Sequence, residues 1–414
     1  MNKHAPMKRW AEVLSIVSGK NQKDVADESG VYPIYGSGGI IGRANGYLCE
    51  PGTTIVGRKG TINNPIYVNE RFWNVDTAFG VVPGETLHPK YLYYFCRYFN
   101  FSSLDKSTTI PSLAKRDLLA IEMPVPALDE QERIVGRIEE LFSELDNAVV
   151  TLEKAKRQLA VYRQAVLKRA FEGNYSAYWR KHQPNDSVQI DFDSIRKNNP
   201  IYKDTLGDDE KIPLDIPPNW LSIRIGDIFD VEVGATPSRR KAEYWNGNIP
   251  WVSSGEVHFN TIFSTKECIT QDGLEHASTN VHPIGTVMLA MIGEGKTRGQ
   301  AAILGTPAAH NQNTAAILVS KTHCHPKFLY YFLQMNYENT RRMGSGNNQK
   351  ALNKERVRAI CFPFTSFEEQ AQIVQEIEFR LSACNSITQT IDTTLQQANT
   401  MRQSILKQAF DGRL

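Results

Sequence analysis

The chain has 414 residues, of which 41% are hydrophobic and 22% charged, and its formal net charge is +2. This composition is typical of globular domains and excludes a disordered or highly charged protein. No apolar run approaches a membrane span and the start, MNKHAPMKRWAEV, lacks a signal-peptide core, so we expect a cytoplasmic protein that does not bind a membrane.

The six cysteines are scattered and form no C-x-x-C pair. This pattern suits a reducing cytoplasm in which thiols serve as small buried groups. The metal-like cluster HCH at 323–325 lacks partners at ligand spacing. We therefore expect no metal site.

Residues 1–125 are predicted to form a first β-rich domain. Short runs of Val, Ile, Thr and Tyr between turn residues, as in TTIVGRKGTINNPIYV, are typical of strands, and PKYLYYFCRYF predicts an aromatic helix. YGSGG at 35–39 has the glycines of a cofactor-binding turn, but no helical pattern follows it.

Residues 126–173 are predicted to hold a first long helix, from Asp129 to about Phe171. Apolar residues recur there at alternating steps of four and three, which predicts a coiled-coil seam. At 1.5 Å per residue the helix would be roughly 65 Å long. A separate amphipathic surface helix is the alternative. The seam is predicted to contain Ile134, Ile138, Leu141, Leu145, Ala148, Leu152, Ala155, Leu159, Tyr162 and Val166.

Residues 174–212 are polar, which indicates either an ordered strap or a flexible linker. Residues 213–365 are predicted to form a second β-rich domain with its own aromatic helix, PKFLYYFLQMNY. Each of the two β-rich segments has a small basic surplus, with 14 basic against 11 acidic side chains in the first and 15 against 12 in the second.

The second domain contains a possible phosphate loop, LAMIGEGKTRGQ at 289–300. A nucleotide site would use residues 293–297, with Lys296 on the outer phosphates and Thr297 on magnesium. A phosphate loop needs a helix after the Thr, whereas a strand-like AAIL follows here. The sequence therefore favours a hairpin tip that presents Lys296, Arg298 and Gln300.

The chain repeats itself at an offset of 237 to 239 residues. HPKYLYYF at 88–95 returns as HPKFLYYF at 325–332, and RQAVLKRAFEG at 163–173 returns as RQSILKQAFDG at 402–412. The repeat predicts a second long helix within 366–414. In it Arg380 stands where the first copy has Leu141, which weakens that layer of the seam. Its seam is predicted to contain Ile373, Ile377, Cys384, Ile387, Ile391, Ala398, Met401 and Ile405.

The helix-entry pattern Pro-x-Pro-x-x-x-x-Glu-Gln-x-x-Ile-Val is specific when it is combined with the repeat and the seam. It consists of Pro124, Pro126, Glu130, Gln131 and Ile134-Val135, and Glu369 and Gln370 remain in the second copy, where Thr365 replaces the second Pro. VGATPSRRKAEYWNGNIPWVSSGEV also looks like the opening of a target-recognition domain. On these residues the chain resembles the specificity subunit of Type I restriction–modification enzymes over nearly its whole length.

The resemblance implies an α+β fold in which two β-rich target-recognition domains are joined by two long antiparallel coiled-coil helices with pseudo-twofold repetition. Each domain would read one half of a bipartite, asymmetric site in double-stranded DNA. Two methylation subunits would dock on the helices and methylate adenine, and restriction subunits would add translocation and cleavage. S-adenosylmethionine, ATP and magnesium would then lie on partner subunits, with no cofactor and no catalytic site on this chain.

DNA recognition uses Arg, Lys, Asn and Gln on loops that reach base edges, and hydroxyls on phosphates. Solvated surface side chains are the alternative for every candidate, and NNQK at 347–350 could equally cap the next helix. In the first domain the candidates are Arg43, Asn45, Arg58, Lys59, Asn63, Lys106, Ser107, Thr108, Thr109 and Lys115. In the second they are Ser238, Arg239, Arg240, Lys241, Lys296, Arg298, Gln300, Arg341, Arg342, Asn347, Asn348, Gln349 and Lys350.

Two other functions remain open at the level of the sequence. A coiled-coil scaffold whose domains bind proteins would bind without regard to DNA sequence. An enzyme that uses 293–297 would bind ATP and lose it on Lys296→Ala.

Overall fold

The protein is described here from a computed structural model, which covers residues 5–182, 214–293, 295–320, 322–343 and 351–414. The chain divides into two compact units. Unit 1 is formed by residues up to Lys156 together with Gln389–Leu414, and unit 2 is Arg157–Thr388. Each unit therefore contains sequence from both copies of the repeat. The finer domain boundaries proposed from the sequence stay predictions.

The strands of unit 1 are short, as their spacing between turn residues predicts. They are β1 (Met7–Arg9), β2 (Leu14–Ser18), β3 (Tyr32–Gly36), β4 (Gly39–Ala44), β5 (Thr53–Gly57), β6 (Ile66–Val68), β7 (Trp73–Asn74), β8 (Ala78–Pro83) and β9 (Glu122–Pro124). The helices that begin in this unit are α1 (Trp10–Val13), α2 (Pro89–Tyr98), α3 (Lys115–Leu119) and the long α4 (Leu128–Phe171).

Unit 2 repeats this order and has additional elements, one strand and several short helices among its described residues. Its strands are β10 (Leu221–Arg224), β11 (Asp230–Val233), β12 (Trp245–Val252), β13 (Asn260–Ile262), β14 (Glu267–Ile269), β15 (Val287–Ala290), β16 (Ala301–Leu304), β17 (Ala309–His310), β18 (Thr314–Leu318) and β19 (Cys361–Phe364). Its helices are α5 (Ala177–His182), α6 (Ile225–Ile228), α7 (Gln271–Glu275), α8 (Pro326–Met335), α9 (Tyr337–Arg342), α10 (Lys354–Arg358) and the long α11 (Phe367–Phe410).

The sheets of the two units match strand for strand. The order β2-β8-β5-β6 in unit 1 corresponds to β11-β18-β15-β16 in unit 2, where β13 adds a fifth, parallel strand. The order β4-β3-β7 corresponds to β14-β12-β17, and in both the last pair is parallel. Each unit also contains a separate two-stranded sheet, which is β1-β9 in unit 1 and β10-β19 in unit 2. The internal repeat and the α+β class are confirmed.

The end of each long helix anchors one domain core through a phenylalanine. In unit 1 the Phe410 ring lies 5.2 Å from Tyr91 and 5.3 Å from Phe95, both on α2. In unit 2 the Phe171 ring lies 5.0 Å from Phe328, on α8. Aromatic pairs at this spacing stabilise a core beyond the area that they bury. The repeated Ala-Phe that ends each helix is thus a core residue of a β-rich domain.

The two long helices are antiparallel within each unit. In unit 1 Asp146 pairs with Arg402, and Lys156 Nζ lies 2.6 Å from Asp392 Oδ1. In unit 2 Arg163 Nη2 donates to Thr388 Oγ1 at 3.2 Å. Because the residue number rises on one helix as it falls on the other, the predicted antiparallel pairing is confirmed.

Of the residues predicted for the helix–helix seam, all but four are buried or half-buried. Ile134, Ile138, Val166, Ile373, Ile377, Cys384, Ile391 and Ala398 are buried, and Leu141, Leu145, Leu152, Ala155, Leu159 and Ile405 are half-buried. Tyr162, Ile387 and Met401 are 46%, 49% and 52% exposed, so their assignment to the seam was wrong, and Ala148 is exposed as well.

The physical reason is helical drift combined with polar pairing. A straight helix drifts by about 20° per heptad from a 3.5-residue repeat, which over six heptads is about one position. The neighbours Arg163, Thr388 and Arg402 are half-buried instead and make the cross-helix contacts.

The predicted linker is partly described. Residues 174–182 follow α4 and include α5, with Ser176 fully buried. Residues 183–213 lie outside the described residues. In the described part of the chain, every helix is too short or too polar to cross a membrane.

Candidate nucleic-acid interface

A buried glutamine fixes the start of each long helix to its own β-rich domain. Gln131 accepts from His88 N at 2.8 Å through Oε1 and donates from Nε2 to Thr86 O and Pro126 O at 3.0 and 2.8 Å. Gln370 repeats the arrangement, accepting from His325 N at 2.8 Å. Both side chains are fully buried, so the Gln of the entry motif has a structural role and holds the start of its helix to the β-rich domain.

Glu369 is the centre of a polar network in unit 2. Its carboxylate, 2% exposed, accepts from Arg180 Nη1 at 2.5 Å, Ser176 Oγ at 2.8 Å and Trp220 Nε1 at 3.0 Å. The network joins the segment after α4, the entry to the second domain and the start of α11. Its counterpart Glu130 pairs on the surface with Arg133, at 2.7 Å.

Four of the predicted DNA-binding residues of unit 1 line one open cleft. The cleft has a volume of about 530 Å³, and its lining includes Arg58, Lys106, Ser107 and Lys115. They come from two chain segments, the turn after β5 and the loop before α3. These two segments are more than 40 residues apart in the sequence, and the fold brings them together.

Backbone hydrogen bonds hold the two segments of this cleft against each other. Leu113 N donates to Arg58 O at 2.8 Å and Gly60 N donates to Pro111 O at 2.9 Å. Lys115 Nζ donates to Ile16 O at 2.7 Å. The two cations therefore stand on a fixed frame, where Lys115 is held by the Ile16 carbonyl and Arg58 lies over the Phe79 ring.

Two carboxylates that the sequence analysis missed shape the same cleft. Asp105 Oδ1 accepts from Ser107 N, Ser107 Oγ and Ser112 N at 3.0, 2.6 and 3.0 Å, and these hydrogen bonds lower its pKa. The hydrogen bond from Lys106, at 3.1 Å, lowers the pKa of Asp117. An Asp two residues before a Ser is a turn signature that could have identified Asp105.

The other candidates of unit 1 lie outside the cleft lining. Arg43 Nη1 donates to Val31 O at 3.0 Å, and Asn45 Nδ2 donates to Asp27 Oδ2 at 2.7 Å. Asn63 fixes a turn by accepting from Phe101 N at 2.7 Å and donating to Ser102 Oγ at 2.6 Å. Lys59, Thr108 and Thr109 are exposed.

Unit 2 repeats this backbone hydrogen bond at the same point of its sheet. Leu352 N donates to Met291 O at 2.9 Å, which repeats the bond between Leu113 and Arg58. Arg341 Nη1 donates to Gly295 O at 2.6 Å, and Tyr337 OH donates to Lys296 O. Residue 291 is a buried Met where unit 1 has the half-buried Arg58, so unit 2 has no cation at the matched position.

Residues 295–299 form a hairpin tip, as the sequence favours. Strands β15 and β16 pair antiparallel on either side of it. Residues 295–299 form turns and lead into β16, in the place where a phosphate loop has a helix. Lys296 is exposed at the tip and Gln300 is half-buried, whereas Arg298 is 7% exposed, so the tip does not present Arg298.

The remaining described candidates of unit 2 are exposed, and two of them also contact neighbouring side chains. Arg239 stacks 3.7 Å from the Trp245 ring centre and pairs with both oxygens of Glu267. Lys241 Nζ donates to Tyr244 OH at 2.9 Å. Ser238, Arg240 and Arg342 are exposed, and Asn347, Asn348, Gln349 and Lys350 lie outside the described residues.

The HCH cluster has a structural role. Cys324 belongs to the core, and burial raises the pKa of its thiol. His325 is the N-cap of α8, where its Nδ1 accepts from Lys327 N at 3.2 Å. Over the described residues there is no group of three or more His, Cys, Asp or Glu side chains arranged to hold a metal ion.

Unit 2 also buries a histidine pair. His310 Nε2 lies 3.0 Å from His282 Nε2, and His310 Nδ1 lies 2.7 Å from Thr314 Oγ1. Because Thr314 donates its proton to Asn311 O at 3.0 Å, it accepts from His310 Nδ1. His310 Nε2 therefore accepts from His282 Nε2, which requires the His310 ring to be neutral.

The chain matches known proteins over most of its length. The family model described as "Type I restriction modification DNA specificity domain" matches residues 5–159 and 217–397. The EcoDI specificity subunit of Escherichia coli is 21% identical over 97% of this chain and 87% of its own length. The EcoBI specificity subunit, also of Escherichia coli, is 24% identical over 89% of this chain and 75% of its own length.

Two solved structures have a similar fold. A chain from a structural study of complex assembly and conformational transition of the type I R-M system has a TM-score of 0.75 and 16% identity, covering 99% of this chain and 98% of that chain. The HsdS subunit from Thermoanaerobacter tengcongensis has a TM-score of 0.56 and 16% identity, covering 100% of this chain and 98% of that chain.

Proposed function

Because the chain belongs to the Type I restriction–modification DNA specificity family, we propose that it directs adenine methylation and restriction to one bipartite, asymmetric DNA site. It is a DNA-recognition subunit, and members of this kind carry no catalytic activity of their own. We propose that unit 1 reads one half-site and unit 2 the other.

One observation carries this proposal. The same backbone hydrogen bond recurs in both units, while the residues around it differ. In both units a backbone bond of 2.8 to 2.9 Å ties the loop before a short helix to the residue after a central strand. The residues at this point differ, with the half-buried Arg58 in unit 1 at the place of the buried Met291 in unit 2. A common scaffold with different loop residues is what two readers of different DNA sequences need.

The cations of the unit 1 cleft suit the phosphate backbone. Arg58 and Lys115 lie on a frame held by backbone hydrogen bonds, so binding DNA orders little additional chain. Exposed polar residues of the adjoining loop, such as Thr108 and Thr109, are suited to positioning contacts or base edges.

The proposed partners are two methylation subunits and, in the complete enzyme, restriction subunits. S-adenosylmethionine, ATP and magnesium would be bound by those partners, and the complex would act in the cytoplasm. The helices α4 and α11 would provide the docking surface.

The test is a genome-wide map of adenine methylation in cells with and without this gene, with the methylation subunits expressed in both. We expect one bipartite motif to lose methylation when the gene is absent. An unchanged map in cells shown to contain the methylation subunits would overturn the proposal and favour a protein-binding scaffold. The strand that follows Thr297 argues against the nucleotide-dependent enzyme.

A further inference from the structure

The hairpin of β3 and β4 exposes two branched aliphatic side chains at its tip. Ile40 is 63% exposed and Ile41 is 58% exposed. The turn before them is the Gly-rich segment YGSGG, in which Gly39 has a φ of +130° that only glycine adopts without strain. The space around Gly38 and Gly39 is open. The segment that resembled a cofactor loop therefore presents apolar side chains to solvent.

A β-bulge explains how two consecutive strand residues are both exposed. The pairing changes from Ile34 opposite Gly42 to Tyr35 opposite Ile40, which leaves Ile41 without a partner across the hairpin. A bulge redirects the side chains beside it and occurs often next to functional sites.

The tip adjoins the basic turn that forms the unit 1 cleft. A Cβ atom built at Gly57 would lie 3.1 Å from Ser37 Cβ, and one built at Gly60 would lie 3.8 Å from Ser37 Oγ. A Cβ atom built at Gly36 would lie 3.6 Å from Ile41 and 3.8 Å from Thr77. The carbonyl of Thr77 in turn accepts from the backbone of Arg58 at 2.8 Å and of Lys59 at 3.2 Å.

An apolar pair beside cations suits duplex DNA better than a protein partner. Two side chains form a patch far smaller than the several hundred Å² typical of protein-binding surfaces. The major groove admits a two-stranded ribbon, and the apolar group that it displays is the 5-methyl of thymine. Arg58 and Lys59 would neutralise the flanking phosphates.

We propose that Ile40 and Ile41 contact the 5-methyl group of a thymine in the half-site read by unit 1. This inference rests on the proposed function. It makes the hairpin tip a determinant of specificity, with cations beside it that supply affinity regardless of sequence.

The test first takes the motif from the methylation map. The complex with its methylation subunits is then titrated with duplexes in which each thymine of the motif is replaced singly by deoxyuridine, which removes only the methyl. We expect one replacement to weaken wild-type binding about fourfold, from the transfer energy of one methyl group. The Ile40→Ala/Ile41→Ala variant should bind the thymine duplex about as weakly and should not respond to that deoxyuridine.

Val31→Ala is the matched control, because Val31 is 73% exposed at the other end of the same hairpin. It should keep the full response to deoxyuridine, and thermal unfolding should show that all variants are folded. No effect of deoxyuridine on the wild type, or the same effect on wild type and double variant, would overturn the inference. A methylation map that does not depend on the gene would instead overturn the proposed function, so the two failures are distinguishable.

Discussion

Replacing Gln131 by Met should destabilise unit 1 strongly with little change of shape. Methionine has a similar length but cannot accept from His88 N or donate to Thr86 O and Pro126 O, which the Gln side chain does at 2.8 to 3.0 Å. Each buried polar group left without a partner costs about 1–3 kcal/mol. Carbonyl oxygens tolerate the lack of a hydrogen-bond partner better than N–H groups do. We therefore expect the free energy of unfolding to fall by about 3–5 kcal/mol.

Calorimetry of the purified chain would measure this loss. Unit 1 has about 180 residues, and for a domain of that size ~1 kcal/mol shifts the melting temperature by about 2–4 °C. The unit 1 transition should therefore fall by about 10 °C. Gln397→Met is the matched control, because Gln397 is exposed on α11 within the same unit. A Gln131→Met protein that melts within a degree or two of the wild type would refute this structural role of Gln131.

Three further outcomes are expected. Glu369→Ala should cost unit 2 about 3–5 kcal/mol in denaturant unfolding, because Arg180 loses its buried partner, whereas Glu368→Ala at the exposed neighbour should cost little. Burial lowers the pKa of His310 to about 3 from 6.5, so the folded state holds this ring in its neutral form. Stability should therefore be full above about pH 6.5 and fall by up to about 1.4 kcal/mol per pH unit below it, and a His310→Gln protein with the same slope between pH 7 and 5 would contradict this. Lys59→Ala in the assembled complex should weaken binding equally for matched and unmatched DNA and reduce the salt slope by about 0.9, so a loss confined to the matched site would refute a phosphate contact.

The large features of the fold could be predicted because they depend on pattern. The repeat of aromatic helices and Ala-Phe helix ends predicts two equivalent units, and the apolar spacing predicts both long helices. The positions of Tyr162, Ile387 and Met401 could not be predicted, because steps of three and four fit two adjacent stripes of one helix. Cross-helix pairs such as Arg402 with Asp146 decide between them, and such pairs are visible only in three dimensions.

The sequence predicted which loops contribute side chains to the cleft of unit 1. It did not predict which polar side chains of those loops line the cleft. Arg58, Lys106 and Lys115 converge on one cleft, while Asn63 lies outside its lining and fixes a turn. The residue type gave no sign of this difference, because a polar side chain that fixes a turn has the same chemistry as one that contacts DNA. The buried network of Glu369 was also hidden, since it joins segments about 150 and 190 residues apart.

The position of Phe410 has a consequence for synthesis on the ribosome. The aromatic face of α2 leaves the ribosome early, but the ring that packs against it follows about 300 residues later. At 5–20 residues per second this face stays uncovered for roughly 15–60 s. Phe171, in contrast, is made before the α8 aromatic residues that it meets. The domain encoded first is therefore the one whose core closes last, and its α2 face is the part of the nascent chain most in need of a chaperone.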